Sequence, residues 1–214
     1  MEINWYGHSC FRISERSKAS VVMDPYDHKI IGYESLKLKS DIVTVSKEDA
    51  GHNYIKGVKG SPYLITGPGE FEIGGVFITG IQTNGKRNKK EGELRNNLFL
   101  IDYDGVTIAH LGEMNKVPSQ SEIEALGHVN IALVPVGGVS SLNAAKAAEV
   151  ISLLEPNIVI PMHYATPDLI GKLDPLNKFL KEMGLVEVET TPSFKVNNIS
   201  NLPEETRVIV LDYK

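Results

Sequence analysis

Short apolar runs cut off by Gly, Pro, Asn or Asp fill the first half of the chain, at residues 3–6, 10–13, 20–23, 42–45, 63–66, 71–73 and 76–82. Runs of this length with such punctuation predict strands. Residues 98–102 and 106–110 flank Tyr103-Asp104-Gly105, and an Asp-Gly pair between two apolar runs predicts a tight hairpin. This half is expected to be mostly antiparallel sheet.

Beyond Gly112 the rhythm becomes strand and helix in alternation. Ser119 and Glu122, preceded by Pro118, have the spacing of a capping box and open a helix to about Leu126. Residues 129–136 form a near-continuous apolar strand. Gly137-Gly138 then turns the chain into a helix over residues 142–154 that stops before Pro156, and a strand at 157–160 completes a βαβ unit. A further helix spans 175–183 and ends at Gly184, and 207–211 is a last strand. With no internal repeat, low-complexity tract or linker, residues 1–214 are expected to form one α/β domain.

Two of these strands run directly into ionisable residues. Ile158-Val159-Ile160-Pro161 delivers Met162-His163-Tyr164, and the strand around Val43 empties into Ser46-Lys47-Glu48-Asp49-Ala50-Gly51-His52-Asn53. Strand ends are held by a rigid scaffold yet reach solvent, which suits catalytic and metal-binding groups.

Composition narrows the partners. The 214 residues, 42% of them apolar, suffice for a large core. With 22 basic against 27 acidic residues the net charge is −5, without the basic bias of a phosphate-backbone binder, so nucleic acid is disfavoured as a partner. Cys10 is the only cysteine and cannot form an internal disulfide, and the start Met1-Glu2-Ile3-Asn4-Trp5 has no leader character, which predicts a cytoplasmic protein. No apolar run approaches the roughly 20 residues that span a bilayer, so no membrane is expected. Oligomeric state is not legible.

Six segments in order, Gly7-His8-Ser9-Cys10-Phe11, Asp24-Pro25, Gly69-Glu70-Phe71, His110-Leu111-Gly112-Glu113, Pro135-Val136-Gly137-Gly138 and Ile160-Pro161-Met162-His163-Tyr164, resemble the metallo-β-lactamase superfamily. Within it they look like the branch of metal-dependent hydrolases related to ascorbate-6-phosphate lactonase. The resemblance implies a four-layer αββα sandwich, hydrolysis of a small lactone or phosphoester, and a zinc or manganese site.

In that superfamily an apolar strand is followed by Thr-His-x-His-x-Asp-His. Laid over residues 46–52, the pattern puts Lys47 and Asp49 at the two His positions and Gly51 at the Asp, and only His52 matches. The resemblance thus implies His52, Glu113 and His163 as metal ligands, Glu113 replacing the usual Asp. Asp49 would be the catalytic base, with Lys47, Asp24, His8 and His110 lining or supporting the site. A charged lysine has no lone pair for a metal, and Gly85, near the position where relatives carry another histidine, offers no side chain. The site is therefore expected to be degenerate, with one divalent metal or none. Lys47 would supply the positive charge that Asp49, Glu113 and Asp24 need if they converge.

Each residue also has a plainer explanation. His52 and His163 serve equally as hydrogen-bonded loop histidines, Asp49 as a solvated acid, and His8 and His110 as satisfied core histidines; His28 and His128 carry no argument. The basic run Lys86-Arg87-Asn88-Lys89-Lys90, with Arg95 beyond it, fits contact with a phosphorylated substrate or RNA, but such a run is more often a solvated hairpin tip. Gly67-Pro68-Gly69 reads as a turn. The competing function is a non-catalytic binding or structural protein that kept the fold and lost the metal. A nucleic-acid processing enzyme would bring an extra domain and a basic face, neither of which the sequence shows.

Overall fold

The fold is given by a computed structural model that describes residues 1–83 and 95–214. Gly85 and the basic run Lys86-Arg87-Asn88-Lys89-Lys90 lie outside the described residues.

In chain order the first elements are β1 (Glu2–Trp5), β2 (Phe11–Ser14), β3 (Val21–Met23), a one-turn helix α1 (His28–Ile31), β4 (Leu38–Lys39), β5 (Ile42–Thr44), β6 (Val58–Lys59) and β7 (Tyr63–Ile65). They continue with β8 (Gly69–Ile73), β9 (Val76–Thr83), β10 (Asn96–Tyr103), β11 (Val106–His110), α2 (Gln120–Leu126), β12 (Ile131–Pro135), α3 (Ala144–Leu154), β13 (Ile158–Met162), α4 (Leu176–Glu182), β14 (Glu189–Thr191), β15 (Phe194–Lys195) and β16 (Arg207–Leu211).

A six-stranded sheet runs β15-β1-β2-β3-β5-β7 and an eight-stranded one β14-β16-β13-β12-β11-β10-β9-β8. Their facing surfaces share one apolar core, in which Trp5, Phe11, Ile13 and Met23 from the first sheet join Ile78, Leu98, Phe99 and Ile108 from the second, all essentially without exposure. Burying each such side chain contributes about 1.5–3 kcal/mol, which makes this interlayer the main source of stability. Beneath the loops on the outer face of the first sheet lies a second cluster of Cys10, Val22, Tyr26, Tyr33, Val43 and Val45.

Local chemistry accounts for the elements. In the hairpin between β10 and β11, Asp104 and Gly105 take φ of +54° and +82°, as a two-residue turn of this kind requires. The capping box of α2 forms in both directions, Ser119 Oγ accepting from Glu122 N and Glu122 accepting from Ser119 N at 2.7 Å. Asn143 caps α3, whose Ala147, Val150, Ile151 and Leu154 recur at helical spacing and are buried. Pro161 sits in β13 beyond the last residue paired with β16, so its missing N–H leaves no gap in that ladder.

The first half is mostly antiparallel, as expected, with a local departure. The first sheet is antiparallel only from β15 to β3, because β3, β5 and β7 pair in parallel. The connections between them, through α1 and a turn of 3-10 helix at Ile55–Gly57, are long enough to return the chain to the same end of the sheet. In the second sheet β11, β12, β13, β16 and β14 are likewise parallel. Parallel strands finish on one edge, and this is what gathers residues from distant parts of the sequence.

Candidate metal centre

Five segments meet where these strands end. The turn between β1 and β2 presents His8, β3 ends at Asp24, β5 leads into residues 46–53, β11 leads to Glu113, and β13 ends at His163. The two sheets are joined here directly, since His163 N donates to His8 O at 3.0 Å, the same carbonyl that accepts from Trp5 Nε1 at 3.1 Å. His8, Asp24 and His163 all have left-handed backbones, with φ of +50°, +47° and +53°. Such conformations cost about 1–3 kcal/mol each in a residue other than glycine and persist where the surroundings over-determine them.

Asp24 is wholly buried and acts as the anchor of the 46–53 loop, accepting from Ser46 N at 2.7 Å and Ser46 Oγ at 2.5 Å. Further along, Asp49 Oδ1 accepts from Gly51 N at 2.9 Å and meets His52 Nδ1 at 2.7 Å. With Nδ1–H directed at the carboxylate, His52 Nε2 is left as the free nitrogen; it is buried and has no partner. A carboxylate behind one ring nitrogen is the usual way a metal-binding imidazole is oriented.

Lys47 Nζ bridges Glu113 Oε2 and, at 3.2 Å, Asp49 Oδ2. Burial works against the charge on Lys47, but Glu113 and Asp49 outweigh it and raise its pKa, so the group is an ammonium that only donates. Burial likewise opposes ionisation of both acids. It is outweighed at Asp49 by His52 and Lys47, and at Glu113 by His52, Lys47 and other neighbours, so both carboxyls are held below their usual range. Glu113 Oε1 stands 3.8 Å from His163 Nε2.

The histidines divide. Burial and then His52 drive the pKa of His163 down to about 4, and burial with His163 and His52 lowers that of His8 well below normal. At His52 burial is outweighed by Asp49, Asp24 and Glu113, which raise its pKa. The ring centroids of His8 lie 4.3 Å from those of His163 and 5.0 Å from those of His52. His110 differs: Nε2 donates to Ser9 O at 2.9 Å and Nδ1 accepts from Gly112 N at 3.2 Å, so neither nitrogen is free and the residue supports the fold. His28 and His128 lie away from the cluster, beside Asp27 and Asn130 respectively.

Asn96 is a site residue that sequence reasoning missed. Its Oδ1 accepts from Glu113 N at 2.7 Å while Nδ2 donates to Leu111 O and Thr83 Oγ1, so it holds the Glu113 turn. Asn97 N donates to Ser46 O at 2.8 Å and grips the other loop. The only trace in the sequence is an Asn-Asn pair opening an apolar strand.

Above the cluster lies a cavity of about 350 Å³, with His8, Asp49, His52, Glu113 and His163 in its wall. Ile30, Ile31, Val139, Leu169 and Ile170 form an apolar rim, with Lys172 as its basic member. Val139 is 83% exposed and, although β-branched, has φ of +58°. No helix among the described residues is long and apolar enough to cross a membrane.

Residues 2–163 match the pattern of the beta-lactamase superfamily domain. A UPF0173 protein of Pyrococcus furiosus is 28% identical over 210 residues, covering 86% of this chain and 90% of that protein. A UPF0173 metal-dependent hydrolase of Natranaerobius thermophilus is 27% identical, covering 79% and 86%. Among solved structures, a Thermotoga maritima protein assigned as a Zn-dependent hydrolase of the metallo-beta-lactamase superfamily superposes with a TM-score of 0.80 at 29% identity, over 100% of this chain and 99% of that one.

Proposed function

Because the chain belongs to the beta-lactamase superfamily domain family, we propose that it is a metal-dependent hydrolase whose dinuclear site is reduced to one half, acting on a small lactone or phosphoester with one metal. The observation that carries this is a pair of buried ring nitrogens without partners, His52 Nε2 and His163 Nδ1, on imidazoles next to the Glu113 carboxylate, whose Oε1 lies 3.8 Å from the other nitrogen of His163. Leaving such groups unsatisfied costs about 1–3 kcal/mol each, a cost that a cation among them would remove. The donors fit a divalent transition metal, zinc more readily than manganese because imidazole dominates.

His52, His163 and Glu113 would hold the ion, which when bound supplies Lewis acidity to polarise a carbonyl or phosphoryl oxygen and to acidify water. Asp49 keeps His52 in the tautomer that presents Nε2. Serving also as base would require it to loosen from His52 and Lys47, so its positioning role comes first. Lys47 stands at the place of the missing half-site ligand and neutralises Glu113 and Asp49 there. The apolar rim favours an uncharged ester ring over a phosphoester, since among the described residues Lys172 is its one basic member and Lys47 is already engaged by Glu113 and Asp49.

The same ion pairs support a second reading, a binding or structural protein that has lost catalysis, because Lys47 holds the carboxylates together without any metal. Elemental analysis combined with hydrolysis of a generic lactone and a generic phosphodiester separates the two. One equivalent of metal with turnover of the lactone is expected. Two tightly held metals would refute the half-site, and no turnover with any divalent ion would leave the binding protein.

A further inference from the structure

Gly51 stands at the family's carboxylate position, and the space a side chain there would enter is already taken. A Cβ built on Gly51 would lie 3.0 Å from His8 Cε1 and 3.2 Å from Asp49 Oδ1. The imidazole of His8 thus lies over the place from which an aspartate would have reached into the site. It is 6% exposed, and its Nδ1 has no hydrogen-bond partner. Its backbone is fixed through its carbonyl, which receives both His163 N and Trp5 Nε1.

One ring nitrogen from each of His8, His52 and His163 lies within 4.8 Å of the other two, and all three residues are buried. Each also retains one buried nitrogen with nothing to bond. Three such orphans within one cluster are hard to reconcile with a purely structural role, because buried polar atoms in folded proteins are almost always paired. Glu113, by contrast, is already neutralised by Lys47.

We infer that His8 replaces the missing carboxylate at position 51, so that the ion seat is built from His8, His52 and His163, with Glu113 beside it rather than in it. This rests on the proposal that a single metal is bound and changes its ligand set. An all-imidazole seat selects zinc or cobalt and discriminates against manganese and magnesium, which prefer oxygen donors.

The test is metal binding, read without turnover. Chelator-stripped wild-type protein, His8→Asn and Glu113→Gln are titrated with Zn²⁺ and Mn²⁺ against a competing chelator, and the visible spectrum of the Co²⁺ forms is recorded. Asn tolerates the left-handed backbone at position 8, and thermal unfolding confirms that each variant is folded. Wild type should bind one Zn²⁺ at least 100-fold more tightly than Mn²⁺. His8→Asn should lose at least 100-fold in Zn²⁺ affinity and alter the Co²⁺ bands, whereas Glu113→Gln should change affinity by less than tenfold. If His8→Asn keeps wild-type affinity or an unchanged Co²⁺ spectrum while Glu113→Gln abolishes binding, the inference fails and the carboxylate-containing set stands. Failure of the wild type to bind either ion overturns both.

Discussion

Replacing Lys47 by Met removes the ammonium shared by Glu113 and Asp49 while keeping most of its apolar stem. Glu113, whose side chain is only 5% exposed, would then keep His52, whose charge it shares with Asp49, and His163, whose own burial opposes protonation. Removing one partner of a fully buried pair costs roughly 3–5 kcal/mol, and an exposed pair is worth about 0–1 kcal/mol. The Lys47 side chain is 19% exposed, so an intermediate loss of about 2 kcal/mol is expected. In a chain of this size that lowers Tm by roughly 4–8 °C. The assay is urea unfolding of chelator-treated protein, run on Lys47→Met, Glu113→Gln and the double variant. Because the damage in the single variant is a stranded charge, the double variant should recover about 1 kcal/mol or more relative to additivity. The deficit of Lys47→Met should also shrink as pH falls below the ordinary carboxylate range, because Glu113 is held below that range in the wild type and the contribution of the pair is lost as it takes up a proton. A deficit below about 0.5 kcal/mol, or strict additivity, would show that the Lys47–Glu113 pair does not hold the site together.

Other perturbations probe the neighbouring supports. Gly112→Ala places a Cβ 2.4 Å from Asn96 Oδ1 and 2.6 Å from Ser46 Cβ at φ of +60°, so it should cost about 3 kcal/mol or more by thermal unfolding; a loss under about 1 kcal/mol would mean the turn relaxes freely. His110 is neutral and its pKa lies below 6.5, chiefly through burial, so between those limits the unfolded chain binds more protons than the folded one. Its contribution to stability is therefore present above pH 6.5 and lost as pH falls towards the folded pKa. His110→Gln should flatten that part of the urea-midpoint profile, and an unaltered slope would count against it. Asn96→Ala leaves the buried Glu113 N without its partner, takes one from Leu111 O, and should cost about 1–3 kcal/mol in urea unfolding; an unchanged midpoint would show that other contacts hold this turn.

Much of the scaffold is legible because local signals agree with tertiary packing. The Asp104-Gly105 turn, the Ser119 and Glu122 cap and the apolar period of residues 144–154 each specify their element without help from distant residues. The parallel pairing of β3, β5 and β7 is not legible in this way, because an apolar run of three residues carries no direction. Elements as short as β4, β6, β14 and β15 owe their existence to partners rather than to pattern. At the site, strand ends before ionisable residues mark His52 and His163, and the resemblance adds Glu113; the three lie close together. Asn96 escapes because a buried amide serving three backbone and side-chain groups has no periodicity. His8 is expected to line or support the site, but its position against residue 51 escapes, because the packing of its ring over that glycine is visible only in coordinates.

The hydrogen bond from His163 N to the carbonyl of His8 has a consequence for biosynthesis. It links a turn made in the first moments of translation to one made when three-quarters of the chain has emerged, so an ion captured by these residues reports that both sheets have already docked. Ribosome-bound fragments ending before β13 would carry His8 and His52 without their latch, so on the single-metal proposal they should leave the ion unclaimed.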